Sequence, residues 1–484
     1  MAWLTMFDAD ANAARSLRER ICATIRAAIR SGALRNGERL PATRTLAADL
    51  EVSRITAEAA YRQLESEGYV RRRVGDGTFV EIDVKATISG TPTRKAPADW
   101  SRRGEQILPG VHVDPSTALA FSAGFPDLAA FPIDTWKRLT ARRIRRDGAS
   151  ILGYGDPAGE PALRAAIARY LRQSRGVRCD ADQVIVLTSS QLALHLVATM
   201  LTDPGDVVWM EEPGYRGARA ALSALGVQLR PTRVDRDGLV APSGAPRLIY
   251  TTPSHQYPTG VTLSLPRRLA LVDAARRSGA YIIEDDYDSE FQYDARPVPA
   301  MQGLDEASRV LYVGTFSKVL FPALRLAYLV VPQPLVRGFI AARTTHDGHP
   351  ARLSQLVTAD FIEEGHFAAH LRRMRRLYHH RRDLLLAELA RQVPWCRPLG
   401  TAAGLQLTVT LPRGREASLT RAAASAGVVT QRLADLCVSR PRADGWLLGF
   451  AALSDEAIVD GVRRLASLSE RPRRHAGPRA KRAM

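Results

Sequence analysis

Residues 309–325 read RVLYVGTFSKVLFPALR. The run Val310-Leu311-Tyr312-Val313 is continuously apolar, the pattern of a strand buried on both faces. It runs out at Gly314-Thr315-Phe316-Ser317 and is followed at once by Lys318, with Arg325 seven positions further on. A lysine directly after small hydroxyl residues at a strand end, with an arginine downstream, fits a Schiff-base lysine beside a phosphate clamp. A lone lysine is more often a surface charge, so the neighbouring segments decide the reading.

Working outward, Ala280-Tyr281-Ile282-Ile283 is a second buried strand that ends in Glu284-Asp285-Asp286-Tyr287. Open α/β sheets place ligands at such carboxyl ends, and a carboxylate there can keep a pyridine nitrogen protonated. Arg247-Leu248-Ile249-Tyr250 leads to Thr252-Pro253-Ser254-His255-Gln256-Tyr257-Pro258-Thr259-Gly260. Val184-Ile185-Val186-Leu187 leads to Thr188-Ser189-Ser190-Gln191 and a helix from about Leu192, where hydroxyls and backbone amides suit a phosphate. Val207-Val208-Trp209-Met210 leads to Glu211-Glu212-Pro213-Gly214-Tyr215, which supplies a ring for stacking. Strands and helices alternate from about 118 to 468, which predicts an α/β domain with a mostly parallel sheet.

The N-terminal segment 13–80 has another grammar. Leu17, Ile21, Ile25, Ala28 and Ile29 share one helical face, and Gly32 is a stop signal. Thr43 is expected to cap a second helix through Leu50, and Ser53 a third running to Glu67. Two short helices across a tight turn have helix-turn-helix spacing. The strand Arg71-Arg72-Arg73-Val74, the turn Gly75-Asp76-Gly77 and the strand Thr78-Phe79-Val80 then predict a two-stranded wing. Leu46, Leu50, Val52, Tyr61, Leu64 and Tyr69 are the expected core.

A length of 484 residues exceeds one compact core, and 45% hydrophobic content suits a globular chain. No apolar run is long enough for a bilayer, and the N-terminus lacks a basic-then-apolar leader pattern, so a cytoplasmic protein without membrane attachment is expected. Cys22, Cys179, Cys396 and Cys437 have neither metal nor disulfide spacing, and no metal site is expected. The net charge is +18, but residues 1–80 balance 13 arginines against 10 acidic residues. Charge alone therefore does not locate a nucleic-acid site. Residues 81–117, rich in Gly and Pro, read as a linker, and 469–484 as a basic disordered tail.

The segment LPATRTLAADLEVSRITAEAAYRQLESEGYV, followed by GDGTFV, resembles the winged helix-turn-helix of GntR regulators. The strand-end motifs resemble, in order and spacing, the type I pyridoxal-phosphate fold of aminotransferases. Together they resemble the MocR subfamily over residues 14 to about 468: a winged helix-turn-helix, then an effector domain (118–468) that includes a small C-terminal α+β subdomain. The resemblance implies DNA contacts by Arg44, Ser53, Arg54, Thr56 and Gly75. It implies pyridoxal 5'-phosphate on Lys318 as Schiff base, with Asp285 on the ring nitrogen, Tyr287 on the phenolic oxygen and Tyr215 stacked on the ring. Ser189, Ser190, Gln191, Thr315 and Arg325 would take the phosphate, and His255 and Tyr257 would line the ring's edge. It further implies a homodimer with swapped DNA-binding domains, in which Tyr154 of GYGDPAGEPALRAAIARYL reaches the neighbouring site.

Two departures stand out. Family members carry Gly where this chain has Ser189, which predicts a tighter phosphate loop. Aminotransferases carry a carboxylate-binding Arg near the C-terminus, whereas Gly445-Trp446-Leu447-Leu448-Gly449-Phe450 is apolar, leaving Arg216 or Arg352 as substitutes. The leading reading is a regulator that senses pyridoxal phosphate or a small amine or amino-acid effector. An active aminotransferase fused to a DNA-binding domain and a cofactor-free dimerising scaffold are the alternatives.

Overall fold

The computed structural model describes residues 16–73, 75–81, 100–107, 120–293, 298–400, 403–439 and 443–468. The expected basic tail and most of the expected linker lie outside them. The chain divides into two compact units between Asp99 and Trp100. Part of the expected linker is a short helix, Arg102–Ile107, whose Gly104 amide donates to Ser101 Oγ at 3.1 Å; it belongs to the second unit.

In the first unit three helices, α1 (Leu17–Arg30), α2 (Thr43–Asp49) and α3 (Arg54–Ser66), precede an antiparallel pair, β1 (Val70–Arg73) and β2 (Gly77–Val80). The amphipathic face of α1 buries Ile21, Ile25 and Ile29 against Leu46, Tyr61 and Leu64, while Leu50, Val52 and Tyr69 pack at the edge of that core. α1 starts with a capping box that the sequence reading passed over: Glu19 N donates to Ser16 Oγ, and Ser16 N to Glu19 Oε2 at 3.0 Å. The expected cap at Thr43 is corrected. Ala42 is the N-cap of α2, without a side-chain hydrogen bond, and Thr43 is already helical. Ser53 does cap α3, accepting from Thr56 N at 3.1 Å. Arg26 holds the far end of α3 through a two-pronged pair to Glu67, at 2.8 and 2.6 Å.

The second unit is built on an eight-stranded sheet: β3 (Val184–Leu187), β4 (Val207–Glu212), β5 (Gln228–Asp235), β6 (Gly238–Leu239), β7 (Leu248–Thr251), β8 (Tyr281–Asp286), β9 (Val310–Thr315) and β10 (Ala327–Val330). Its order is β3-β10-β9-β8-β7-β4-β5-β6. Strands β9, β8, β7, β4 and β5 are parallel neighbours, whereas β10 runs antiparallel to both β3 and β9. The sheet is thus mostly parallel, and β10 lets β3 point the same way as the others. Residues on both faces are buried, one face under helices Ser190–Leu201, Arg216–Ser223 and Val336–Asp347. This explains why the strands read as unbroken apolar runs. The carboxyl ends of β3, β4, β7, β8 and β9 open on one side, where Leu187, Glu212, Thr251, Asp286 and Thr315 terminate them, whereas the antiparallel β10 ends on the other. A smaller antiparallel sheet follows: β11 (Arg397–Leu399), β12 (Gln406–Thr410), β13 (Gln431–Arg432) and β14 (Gly445–Gly449), in the order β11-β12-β14-β13. With helices Glu416–Ser425 and Asp455–Ala466 it forms the C-terminal α+β part.

Candidate functional site

On the first unit Arg44 lies in the first turn of α2 and Arg54 is the first residue of α3; both are exposed. Among the described residues neither has a hydrogen-bond or ion-pair partner. Of the wing arginines, Arg71 pairs with Glu81 at 2.9 Å and Arg72 with Glu65 at 3.3 Å, while Arg73 has no ion pair among the described residues and lies over the Phe79 ring at 4.8 Å. The two free guanidiniums at helix starts are therefore available to an external anion or base edge. Ser53 and Thr56 share a hydroxyl hydrogen bond of 2.8 Å beside Arg54. Gly75 turns the wing at φ +82°, a left-handed conformation that costs glycine least.

On the second unit Lys318 lies just past β9. Its Nζ donates to the Gly124 carbonyl at 2.6 Å. Burial lowers its pKa, opposed by the Asp288 and Asp285 carboxylates, which favours the nucleophilic neutral amine. Gly124 has φ +81°, and a Cβ there would stand 3.1 Å from Lys318 Nζ. A side chain at 124 would thus intrude on the lysine.

Asp285 projects from β8 and is buried. Burial raises its pKa to about 7, partly offset by the Tyr250 hydroxyl, which donates to Oδ2 at 2.8 Å. The sequence reading missed Tyr250. It sits on β7, where the register pairs it with Ile283, and only that register aims its hydroxyl at Asp285. Behind the sheet, Asp286 points the opposite way and accepts from Arg175 Nε (2.9 Å), Ser289 Oγ (2.8 Å) and Tyr312 OH (2.5 Å). Of the adjacent carboxylates Asp285 and Asp286, only the first faces the site, by strand alternation.

Tyr287 and His255 meet beside Asp288, a residue the sequence reading did not single out. Asp288 takes His255 Nδ1 at 3.0 and 3.1 Å, and the Tyr287 hydroxyl lies 3.0 Å from the same nitrogen. A carboxylate only accepts, so Nδ1 carries the proton and the Tyr287 O–H remains free to donate elsewhere. Burial holds Tyr287 well above the usual phenol range, keeping it a donor. Tyr215 accepts from Gln191 Nε2 at 3.0 Å, and its ring packs edge-on to Tyr257 at 5.6 Å. The Tyr257 hydroxyl donates to Gln431 at 3.2 Å.

Ser189, Ser190 and Gln191 open the helix Ser190–Leu201, and the leading amides of a helix lack intrahelical partners, which suits a phosphate. Ser189 is extended, at φ −166°, and its Oγ accepts from Leu192 N at 3.2 Å. The position needs no glycine, and the serine gains a cap instead. Thr315 ends β9 and accepts from Ser317 N at 3.1 Å. Arg325 is exposed and left-handed, at φ +52°, and its guanidinium has no partner among the described residues. A buried carboxylate for a ring nitrogen, a desolvated lysine, a phenol donor and a helix start with a free arginine form a donor set that fits pyridoxal 5'-phosphate. When bound, that cofactor supplies an electron-withdrawing ring and a carbonyl carbon for amines.

The apolar strand divides between two clusters. Leu448 belongs to the main core, whereas Leu447 packs with Leu433 and Leu436 against Ala123 and Tyr257, on the site side. Of the proposed substitutes, Arg352 is committed to Glu160 at 2.5 Å. Arg216 is half-buried in the first turn of its helix and near the Tyr257 hydroxyl.

These units define a class of protein: a DNA-binding winged helix joined to an aminotransferase-type domain whose cofactor is pyridoxal phosphate. The comparisons agree. Residues 17–80 match the model of bacterial regulatory proteins of the gntR family, and residues 117–465 that of aminotransferase class I and II. The chain is 42% identical to the probable rhizopine catabolism regulatory protein MocR of Rhizobium meliloti over 95% of its own length and 94% of that protein's. It is 31% identical to the pyridoxine biosynthesis transcriptional regulator PdxR of Corynebacterium glutamicum, over 76% of this chain and 78% of the relative. Among solved structures, the α-aminoadipate aminotransferase LysN of Thermus thermophilus, complexed with N-(5'-phosphopyridoxyl)-L-leucine, superposes with a TM-score of 0.67 at 28% identity, over 76% of this chain and 94% of that one. The chain belongs to the MocR-type transcriptional regulators of the GntR family. Among the described residues no helix is long and apolar enough to cross a membrane.

Proposed function

We propose that the second unit is a ligand sensor whose occupancy, at Lys318 and its surroundings, changes how the winged units engage DNA in the cytoplasm. The observation that carries this reading is the pairing of a desolvated Lys318 and a buried Asp285 with Leu447 on the site face. The cofactor-holding groups are present, while the guanidinium that would grip an amino-acid carboxylate for turnover is replaced by an apolar side chain.

In this reading Asp285 holds the ring nitrogen, Tyr287 the phenolic oxygen, Tyr215 the ring face and His255 and Tyr257 its edge. Ser189, Ser190, Gln191, Thr315 and Arg325 hold the phosphate. Arg54, Ser53 and Thr56 at the start of α3 contact the major groove, Arg44 the backbone, and Gly75 the minor groove. The active unit is a homodimer with winged domains exchanged between subunits, reading repeated half-sites. Nearly complete exposure of Leu152 (84%) and Tyr154 (99%) supports an interface at that loop, through which Tyr154 reaches the partner's site. An effector acts as a population shift, effective only in so far as it binds one arrangement better than the other.

The test is Lys318→Ala. The variant should lose the visible absorbance of bound pyridoxal phosphate and its fixation by borohydride, keep its dimeric mass, and no longer change its DNA affinity when ligand is added. Full visible absorbance in the variant would refute the site, and unaltered ligand response of DNA binding would refute the sensing role.

A further inference from the structure

We infer that the pocket in front of Lys318 selects primary amines with an uncharged, hydroxyl-bearing tail and rejects amines that carry a carboxylate. The inference rests on the ligand-sensing reading above and names the chemical class sensed.

Gln406 is the first residue of β12. It is buried at 4% exposure, and its Oε1 has no hydrogen-bond partner. A Cβ placed on Gly124 would stand 3.1 Å from Lys318 Nζ and 3.8 Å from Gln406 Oε1, so the lysine and the amide flank the same small space. The Gly124 carbonyl, which accepts from Lys318 Nζ at 2.6 Å, is the second polar group there. Buried polar atoms in native proteins are almost always satisfied, so an orphaned amide oxygen beside the reactive lysine points to a ligand that donates to it.

The charge of that ligand follows from the neighbours. Asp288 and Asp285 are the charged groups acting on Lys318, and among the described residues no guanidinium makes a hydrogen bond or ion pair with Lys318, Gly124 or Gln406. Arg216 acts on the Tyr257 hydroxyl instead. Leu447, Ala123 and Tyr257 supply an apolar wall. A carboxylate entering this space would meet a backbone carbonyl, an amide and hydrocarbon, with two anions nearby and no countercharge. Burying an unpaired charge is strongly unfavourable. A hydroxyl both donates and accepts, and so pairs with Gln406 whichever way its amide is turned. The amine end would be set by the cofactor: with pyridoxal phosphate held as a Schiff base on Lys318, an incoming primary amine would take the lysine nitrogen's place on the same carbon, one C=N bond made as one is broken, with Lys318 leaving as the free amine and no oxidant or reductant required.

The experiment uses the full chain loaded with pyridoxal phosphate and two matched pairs of probes: L-alaninol against L-alanine, and 4-aminobutan-1-ol against 4-aminobutanoate. The second pair covers the longer reach toward Arg216. Two readouts are taken, the change in visible absorbance and the melting temperature. The alcohols should reach half-maximal change at a concentration at least about tenfold below that of their carboxylates, the weight of roughly one charged hydrogen bond. Gln406→Leu should narrow that gap by weakening the alcohols. Leu447→Arg, if it retains the cofactor absorbance, should reverse it. Equal or better response to either carboxylate overturns the inference, as does no response to any probe, although retained absorbance would then leave the cofactor site standing. Absence of the visible band on loading overturns both the site and this inference.

Discussion

Replacing Asp285 by Asn separates what the carboxylate does to the fold from what it does for the cofactor. In the cofactor-free protein, burial raises the Asp285 pKa from 3.8 to about 7. Between those two pH values the folded chain holds a proton that the unfolded chain has released. Stability therefore falls as pH rises through that window and levels off above it. At about 1.4 kcal/mol per pH unit, the loss above pH 7 is about 4 kcal/mol, an upper bound because a buried site relaxes. Asn keeps an oxygen for the Tyr250 hydroxyl, which now donates at 2.8 Å, and carries no charge to desolvate. Cofactor-free Asp285→Asn should therefore melt several degrees above cofactor-free wild type at pH 8, with the gap closing toward pH 4. With pyridoxal phosphate the order should invert, because the neutral amide no longer favours a protonated ring nitrogen and cofactor affinity falls. Thermal melts of both proteins at pH 4.5, 6 and 8, with and without cofactor, measure this directly. A melting difference that is the same at all three pH values would refute the burial argument. Unchanged cofactor affinity would refute the assignment of Asp285 to the ring.

Further outcomes follow from the same structure. Arg54→Ala should weaken specific DNA binding by about 1–3 kcal/mol if Arg54 reads a base edge, and the affinity of wild type should fall steeply with salt; equal titration curves for the two proteins would remove Arg54 from the interface. Ser53→Ala removes the cap that accepts from Thr56 N at 3.1 Å, a loss of about 1 kcal/mol that should speed amide exchange in the first turn of α3 about fivefold; unchanged exchange there would show that the cap contributes nothing. Steady-state turnover of common amino acids with 2-oxoglutarate or pyruvate should stay far below the ~10 s⁻¹ typical of enzymes, because Leu447 stands on the site face; turnover near that value would favour the fused-aminotransferase alternative.

What the sequence determined by itself are the features encoded locally. The apolar runs ending in Lys318, Asp285, Ser189 and Tyr215 declare strands whose carboxyl ends bear chemistry, because a strand buried on both faces must be apolar throughout. The cap at Ser53 and the glycines of the wing are equally local, since capping and left-handed turns depend on a few adjacent residues. Thr43 misled because a hydroxyl before a helix is only a propensity, and the helix began one residue earlier than that signal suggested. The tertiary structure alone decided which distant residues meet. Tyr250 reaches Asp285 through the β7–β8 register, Asp288 orients His255, and Gly124 and Gln406 close on Lys318 from 194 residues before it and from a separate sheet. Register also split the apolar pair, turning Leu448 into the core and Leu447 toward the site. Successive side chains on a strand point to opposite faces, and which face meets the cofactor is fixed by how the two sheets pack, a long-range outcome that no local pattern encodes.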